Sequence, residues 1–362
     1  MTAAALNQDP ARDGRPVAIW LLAVAALVAL MVVVGGLTRL TGSGLSITEW
    51  KPVTGVLPPL SAEIWQQEFD KYRQIPQYQR LNKGMSLEAF KTIYWWEWGH
   101  RFLGRVVGAA FLLPFMWFLA SGRLRGRLAW TCAGLFVLGG LQGVLGWYMV
   151  ASGLTERVSV SQYRLAAHLG LAFAIFAALV WVALGILRGA TARALAAPAD
   201  RRWIAWTGAL ALLVYGQILL GAFVAGLDAG LVYNTWPLMD GRFVPDGLYA
   251  VPWAAFEDHR TVQFNHRMLA YGIAVMTVVF CWRTVARPAP DGLRTAAMWF
   301  AAAVCLQILF GIWTLLAAVP VWMGGVHQLG AVGVLAVAMV QLHSAVYAYA
   351  PRHHPAALTQ GA

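Results

Sequence analysis

Four histidines, His100, His168, His266 and His327, stand at matched positions in the two halves of a strongly apolar sequence. Gly99-His100-Arg101-Phe102-Leu103 pairs with Asn265-His266-Arg267-Met268-Leu269, and His168-Leu169-Gly170 pairs with His327-Gln328-Leu329-Gly330. Neutral imidazoles offered in pairs by neighbouring helices are the usual axial ligands of a b-type haem. Ionisable groups inside a membrane are costly, so a functional role is the first hypothesis for them. Core packing or helix capping explains any one of the four as well. The twice-repeated pair favours an iron or other metal site. A closed zinc site wants four ligands, and no cysteine or carboxylate pair completes one.

Glu97 precedes His100 by three residues, which puts both on one helix face. The second half has Gln263 at that place, and an amide is no base. A carboxylate in a partly apolar pocket holds a proton more readily than in water and is suited to proton transfer. The alternative is a helix N-terminal charge favoured by the dipole. The asymmetry suggests one catalytic half and one structural or electron-transferring half. Arg101 and Arg267 directly follow their histidines, and Arg39 and Arg164 lie near the same interface. Guanidinium forks suit haem propionates, and interfacial snorkelling is the competing role. His259, His343, His353 and His354 read as solvated or packing residues. Gln142, Gln217 and Gln307, each followed four residues later by glycine, read as helix-packing features.

The elements that must position these groups follow from composition. Of 362 residues, 59% are hydrophobic and only 12% charged, against roughly 25% in soluble domains. That excludes a soluble fold and disorder. The net charge of +11 does not point to nucleic acid, because the charges sit in short loops rather than on one face. Eight apolar stretches are long enough to cross a bilayer: about 17–39, 97–120, 128–151, 162–187, 203–227, 261–282, 295–318 and 322–349. The run from Val17 is too long for a signal-peptide core and reads as the first span. The three cysteines, Cys132, Cys281 and Cys305, lie within apolar stretches, so no loop disulfide or CxxC site is available.

Arginines orient the chain. Arg123, Arg125 and Arg127, then Arg188, Arg193, Arg201 and Arg202, then Arg283, Arg287 and Arg294 fill one set of loops, which the positive-inside rule makes cytoplasmic. Both termini are then cytoplasmic. The long loop 40–96 lies outside and holds all four lysines. Its Trp and Tyr content suggests helices lying on the membrane surface. The halves are internal repeats. Gly35-Gly36-Leu37, Gly44-Leu45 and Trp50 match Gly221-Ala222-Phe223, Gly230-Leu231 and Trp236 at a constant offset of 186. Four helices per half make the repeats parallel. The expected fold is an all-α integral membrane protein built from two parallel-repeat four-helix bundles. Its parts are a tail 1–16, a bundle 17–190, a bundle 203–349 and a tail 350–362.

The stretch Gly35-Gly36-Leu37-Thr38-Arg39-Leu40-Thr41-Gly42-Ser43-Gly44-Leu45-Ser46, with Glu49-Trp50-Lys51-Pro52, strongly resembles the first outer-loop motif of the haem A synthase family. Glu97-Trp98-Gly99-His100-Arg101 and Asn265-His266-Arg267 resemble it too, and the likeness runs from about residue 20 to 348. The resemblance implies oxidation of a ring methyl of haem O to a formyl group by successive hydroxylations, yielding haem A for terminal oxidases. It implies a haem b cofactor on His266 and His327, near Arg267. Substrate haem O falls on His100 and His168, near Arg101 and Arg39, and Glu97 matches the family's essential carboxylate. It implies a bacterial inner-membrane location, with haem O synthase a candidate partner and self-association permitted by Gly-rich helix faces. The absence of an outer-loop cysteine pair resembles the cysteine-free proteobacterial and mitochondrial branch. A di-haem, quinol-linked cytochrome b would use the same histidines, but it would not need Glu97 in one half only. A proton-relaying transporter would need acidic or polar groups in the middle of several helices.

Overall fold

A computed structural model of the chain describes residues 10–188, 201–290 and 292–346. The outermost tails, Arg193, His353 and His354 lie outside the described residues. In chain order the helices are α1 (Pro10–Leu40), α2 (Ala62–Tyr72), α3 (Pro76–Arg80), α4 (Leu87–Ala120), α5 (Gly126–Ala151) and α6 (Gln162–Leu187). They continue as α7 (Arg201–Gly226), α8 (Ala254–Glu257), α9 (His259–Ala286), α10 (Leu293–Leu316) and α11 (Val321–Val346). Among the described residues, eight of these helices are long and apolar enough to cross a membrane: α1, α4, α5, α6, α7, α9, α10 and α11. Each contains most of one of the eight expected spans. Among the described residues, the only pairing of extended backbone is a single bridge between Met239 and Arg242.

Helices that are apolar all round must be buried or face lipid. Here both occur. α1, α6, α7 and α11 meet along the middle of the molecule, with α1 on α6 and α11, and α6 on α7 and α11. Val17, Leu21, Phe173, Leu179, Leu210 and Leu335 anchor the core there, joined by Phe280 of α9 and Phe300 of α10. α4 and α5 pack outside α1 and α6, and α9 and α10 pack outside α7 and α11. The outer helices leave large apolar side chains uncovered, including Leu113, Trp130, Val278, Trp299 and Leu306. Such a surface is sustainable only in a hydrocarbon solvent.

α4 departs from the expected span. It begins at Leu87, ten residues upstream of the expected start, where Ser86 caps it by accepting from the Ala89 amide. At 1.5 Å per residue its 34 residues reach about 51 Å, well beyond a hydrocarbon core of about 30 Å. Its first turns carry Phe90 and Tyr94 into a second apolar cluster with Trp65, Phe69 and Tyr72 of α2, together with Leu45, Ile47 and Val160. Phe90 packs on Phe69 and Tyr72 at ring separations of 5.0 and 5.2 Å. The aromatic side chains expected to rest on the membrane surface thus build a small folded cap on α4.

Ions close this cap. Lys71 bonds Glu49 and Glu68 at 2.8 Å each, and Lys51 lies 2.6 Å from Glu49. Hydrogen bonds from Lys51 and then Lys71 hold the Glu49 carboxyl below its ordinary value, against the opposing effect of burial. Gln77 ties the cap to the end of α1 by donating to the Gly42 carbonyl at 3.1 Å.

Candidate functional site

The four histidines sit on α4, α6, α9 and α11, and each is half-buried. In every case the preceding long helix presents a glycine to the imidazole. A Cβ on Gly35 would fall 2.8 Å from His100 Cε1, and one on Gly146 would fall 2.9 Å from His168 Cε1. The matching values are 3.3 Å for Gly221 against His266 and 2.8 Å for Gly311 against His327. At Gly35, Gly146 and Gly311 a Cβ would intrude on the ring and force it to shift, and at Gly221 it would press tightly against it.

Three of the glycines stand four residues after a glutamine, and the amide of each reaches the facing histidine. Gln142 donates to the His168 carbonyl at 2.9 Å, Gln217 to the His266 carbonyl at 2.9 Å, and Gln307 to the His327 carbonyl at 2.8 Å. The sequence marks these glutamines as packing features. They do join neighbouring helices, and their target is the histidine itself. The Gln-x-x-x-Gly spacing on every second helix was the available signal.

Arg101 and Arg267 make one repeated clamp. Arg101 donates to the carbonyls of Ile47 (2.7 Å) and Glu49 (2.9 Å). Arg267 donates to those of Tyr233 (2.7 Å) and Thr235 (2.9 Å). These partners are the same two loop positions at the offset of 186 found between the first and fifth spans. Each arginine thus pins the loop that follows the first helix of its half. Arg39 serves the junction between the halves, reaching Asp228 at 3.0 Å and the Gly226 carbonyl at 3.4 Å. Arg164 donates to the Tyr148 carbonyl and lies over that residue's ring.

The halves differ at Glu97. Its carboxylate is 2% exposed and accepts from Ser46 Oγ (2.8 Å), the Ile47 amide (2.8 Å) and Arg101 Nη2 (2.6 Å). A buried carboxylate is tolerable only when paired and hydrogen-bonded in this way. Gln263 at the matching place donates to the Tyr233 carbonyl at 3.2 Å. So the same loop position is met by a charged acceptor in one half and a neutral donor in the other. Ser46 and the Ile47 amide are members of this site that sequence reasoning missed, because a backbone donor leaves no mark in a side-chain pattern.

Whether a haem suits these residues is a question of the donor set and the space. Each half offers two half-buried imidazoles with glycine behind the ring, and His100 Nδ1 and His168 Nδ1 are buried without hydrogen-bond partners. Among the described residues, no group of three His, Cys, Asp or Glu side chains gathers to hold a bare ion. The set fits a macrocycle that carries its own four equatorial donors and takes two axial nitrogens.

Residues 18–339 match the family model described as cytochrome oxidase assembly protein. The chain is 57% identical over 334 residues to a protein named "Heme A synthase" from Parvibaculum lavamentivorans, covering 90% of this chain and 93% of the relative. The chain belongs to the haem A synthase family. Two further members so named, from Azorhizobium caulinodans and Caulobacter vibrioides, are 56% and 51% identical over 91% and 90% of this chain, each covered over 94% of its length.

For a haem A synthase family member, the glycine behind each histidine has a direct consequence. Gly311→Ala is expected to displace the His327 ring and lower the haem-to-protein ratio of the purified protein. Gly108→Ala is the control, because a Cβ there meets nothing within 4 Å. Full haem content with an unaltered spectrum in Gly311→Ala would show that the ring has room to spare.

Proposed function

We propose that the chain oxidises a ring methyl of haem O to a formyl group by successive hydroxylations, the hydrate then losing water to give haem A. The observation that carries this is the match, over nine-tenths of the chain, to proteins named for that synthesis. The chain is an oxidoreductase of haem A biosynthesis acting on a CH group of haem O. The close identity to these enzymes favours this activity over a di-haem cytochrome b.

The division of labour extends that reading. His100 and His168 hold substrate haem O, with Arg101 and Arg39 on its propionate side. His266 and His327 hold haem b, with Arg267 nearby. Haem b bound there supplies a one-electron carrier beside the reacting half. Glu97 orients a water or accepts a proton next to the substrate, and Ser46, Ile47 and Arg101 fix where its oxygens point. The repeated arginine clamp supports two parallel four-helix units, α1 with α4–α6 over 17–190 and α7 with α9–α11 over 203–349. The arginine-rich loops support cytoplasmic termini in a bacterial inner membrane. Haem O synthase is the natural donor of so apolar a substrate, and self-association is open to the Gly-rich outer faces.

Purified from cells with ample haem, the protein is expected to show the optical spectrum of a low-spin haem b, motivated by the paired imidazoles. Protein that is folded yet free of any haem would end this reading.

A further inference from the structure

The halves also differ along one seam between helices. α4 lies on α5 along a shorter stretch than the matching α9 lies on α10. The side of α5 turned toward α4 carries Phe136, Gly139, Gly143 and Trp147, spaced at helical intervals. Ring contacts close its two ends. Phe136 stacks on Phe111 of α4 at 5.9 Å, and Trp147 meets Trp50, in the loop after α1, at 5.1 Å. Between them, a Cβ on Gly139, Gly140 or Gly143 would meet nothing within 4 Å. A slot is left between the helices, and it reaches the surface, because all three glycines are exposed. Its inner end adjoins a haem-ligand candidate. Gly146, one turn beyond Gly143, faces the His168 ring, and His168 Nδ1 is buried without a partner. The second half has no such slot. Aligning Gln142 and Gly146 with Gln307 and Gly311 puts Val304 at the place of Gly139 and Ile308 at that of Gly143. Val304 is buried, and Ile308 packs against the core.

We propose that this slot holds the isoprenoid chain of haem O, and that Gly139 and Gly143 thereby select haem O for the first half. The inference rests on the division of the two haems between the halves. The two haems differ as the two halves do. Haem O carries a long isoprenoid chain where haem b has only a vinyl group. Such a chain is too bulky to fold back on the macrocycle in a close-packed bundle. It is apolar, so its favourable exit is sideways into hydrocarbon rather than up into water. Two bare stretches of α5 backbone leave that exit one side chain wider than it is in α10. Val304 and Ile308 close the matching exit, and a haem without the chain needs none.

The test gives the first half the side chains of the second. Gly139→Val and Gly143→Ile add atoms where the protein has none, so what they exclude is a ligand. Purified protein, its resident haem b counted by extraction, is titrated with haem O and in parallel with added haem b. The double variant is expected to lower the affinity for haem O relative to haem b about 10- to 100-fold, the cost of overfilling a packed space. Resident haem b should stay at its wild-type content. Gly134→Val is the control. A Cβ there also meets nothing within 4 Å, but five residues before Gly139 it turns away from the slot. It is expected to bind haem O as the wild type does. Should the double variant accumulate poorly, Gly143→Ala decides, with a smaller fall in the same ratio. An unchanged ratio would leave the slot to lipid tails and overturn the proposal. Equal weakening of haem O and added haem b would also overturn it, because the filled slot would then only disturb the histidines. Haem O binding that survives His100→Ala and His168→Ala but is lost in His266→Ala would instead overturn the division between halves, and the proposal with it.

Discussion

Glu97→Gln is expected to abolish haem A formation while the haem b proposed for the second half is retained. Gln is nearly isosteric, so the volume at the foot of the cap is preserved. What changes is the polarity of one atom. Glu97 Oε2 receives Ser46 and the Ile47 amide, and Oε1 receives Arg101. An amide NH2 at either place would face a donor, and Arg101 would lose its counter-charge. A positioned acid or base contributes about 10²–10⁴ in rate, and a fall of that size in haem A produced per enzyme is the expected result. Haem A content and the low-spin haem b spectrum, measured on the same preparation, separate the roles. Undiminished product would remove Glu97 from the chemistry. Loss of haem b together with product would assign it to holding the loop.

Removing the imidazoles should split by half. His266→Ala and His327→Ala are each expected to strip most of the haem b from the purified protein, and His100→Ala is expected to leave it. Deleting an axial nitrogen should cost more than the 10- to 100-fold in affinity typical of outer-shell changes around a metal. The split follows from the proposal that His266 and His327 hold one haem and His100 and His168 the other. Pyridine haemochrome content per protein reads it directly. Equal depletion by all four variants would contradict the division.

Much of this arrangement was legible in the residues because a membrane forces long apolar runs, and long runs are hard to misread. The eight spans, the repeated His-Arg steps and the lone Glu97 all carry strong local signals. The start of α4 was hidden for a physical reason. The Trp and Tyr residues of the loop 40–96 read as helices lying on the membrane surface, and only contact of Phe90 and Tyr94 with Trp65 and Phe69, twenty or more residues away, shows that the helix continues upward. Arg101 and Arg267 were read as propionate partners because guanidinium suits carboxylates. Each also donates to two loop carbonyls, those of Ile47 and Glu49 or of Tyr233 and Thr235, and no side-chain pattern displays that clamp. The glutamines lay in plain view, and their partner was the backbone of a neighbouring helix.

The most direct measurement is haem extraction and chromatography from cells that co-express this chain with a haem O synthase. Haem A is expected to accumulate with the intact gene and to be replaced by haem O when Glu97→Gln is substituted. Haem O persisting alone alongside abundant, haem b-loaded intact protein would contradict the activity and leave a di-haem electron carrier in its place.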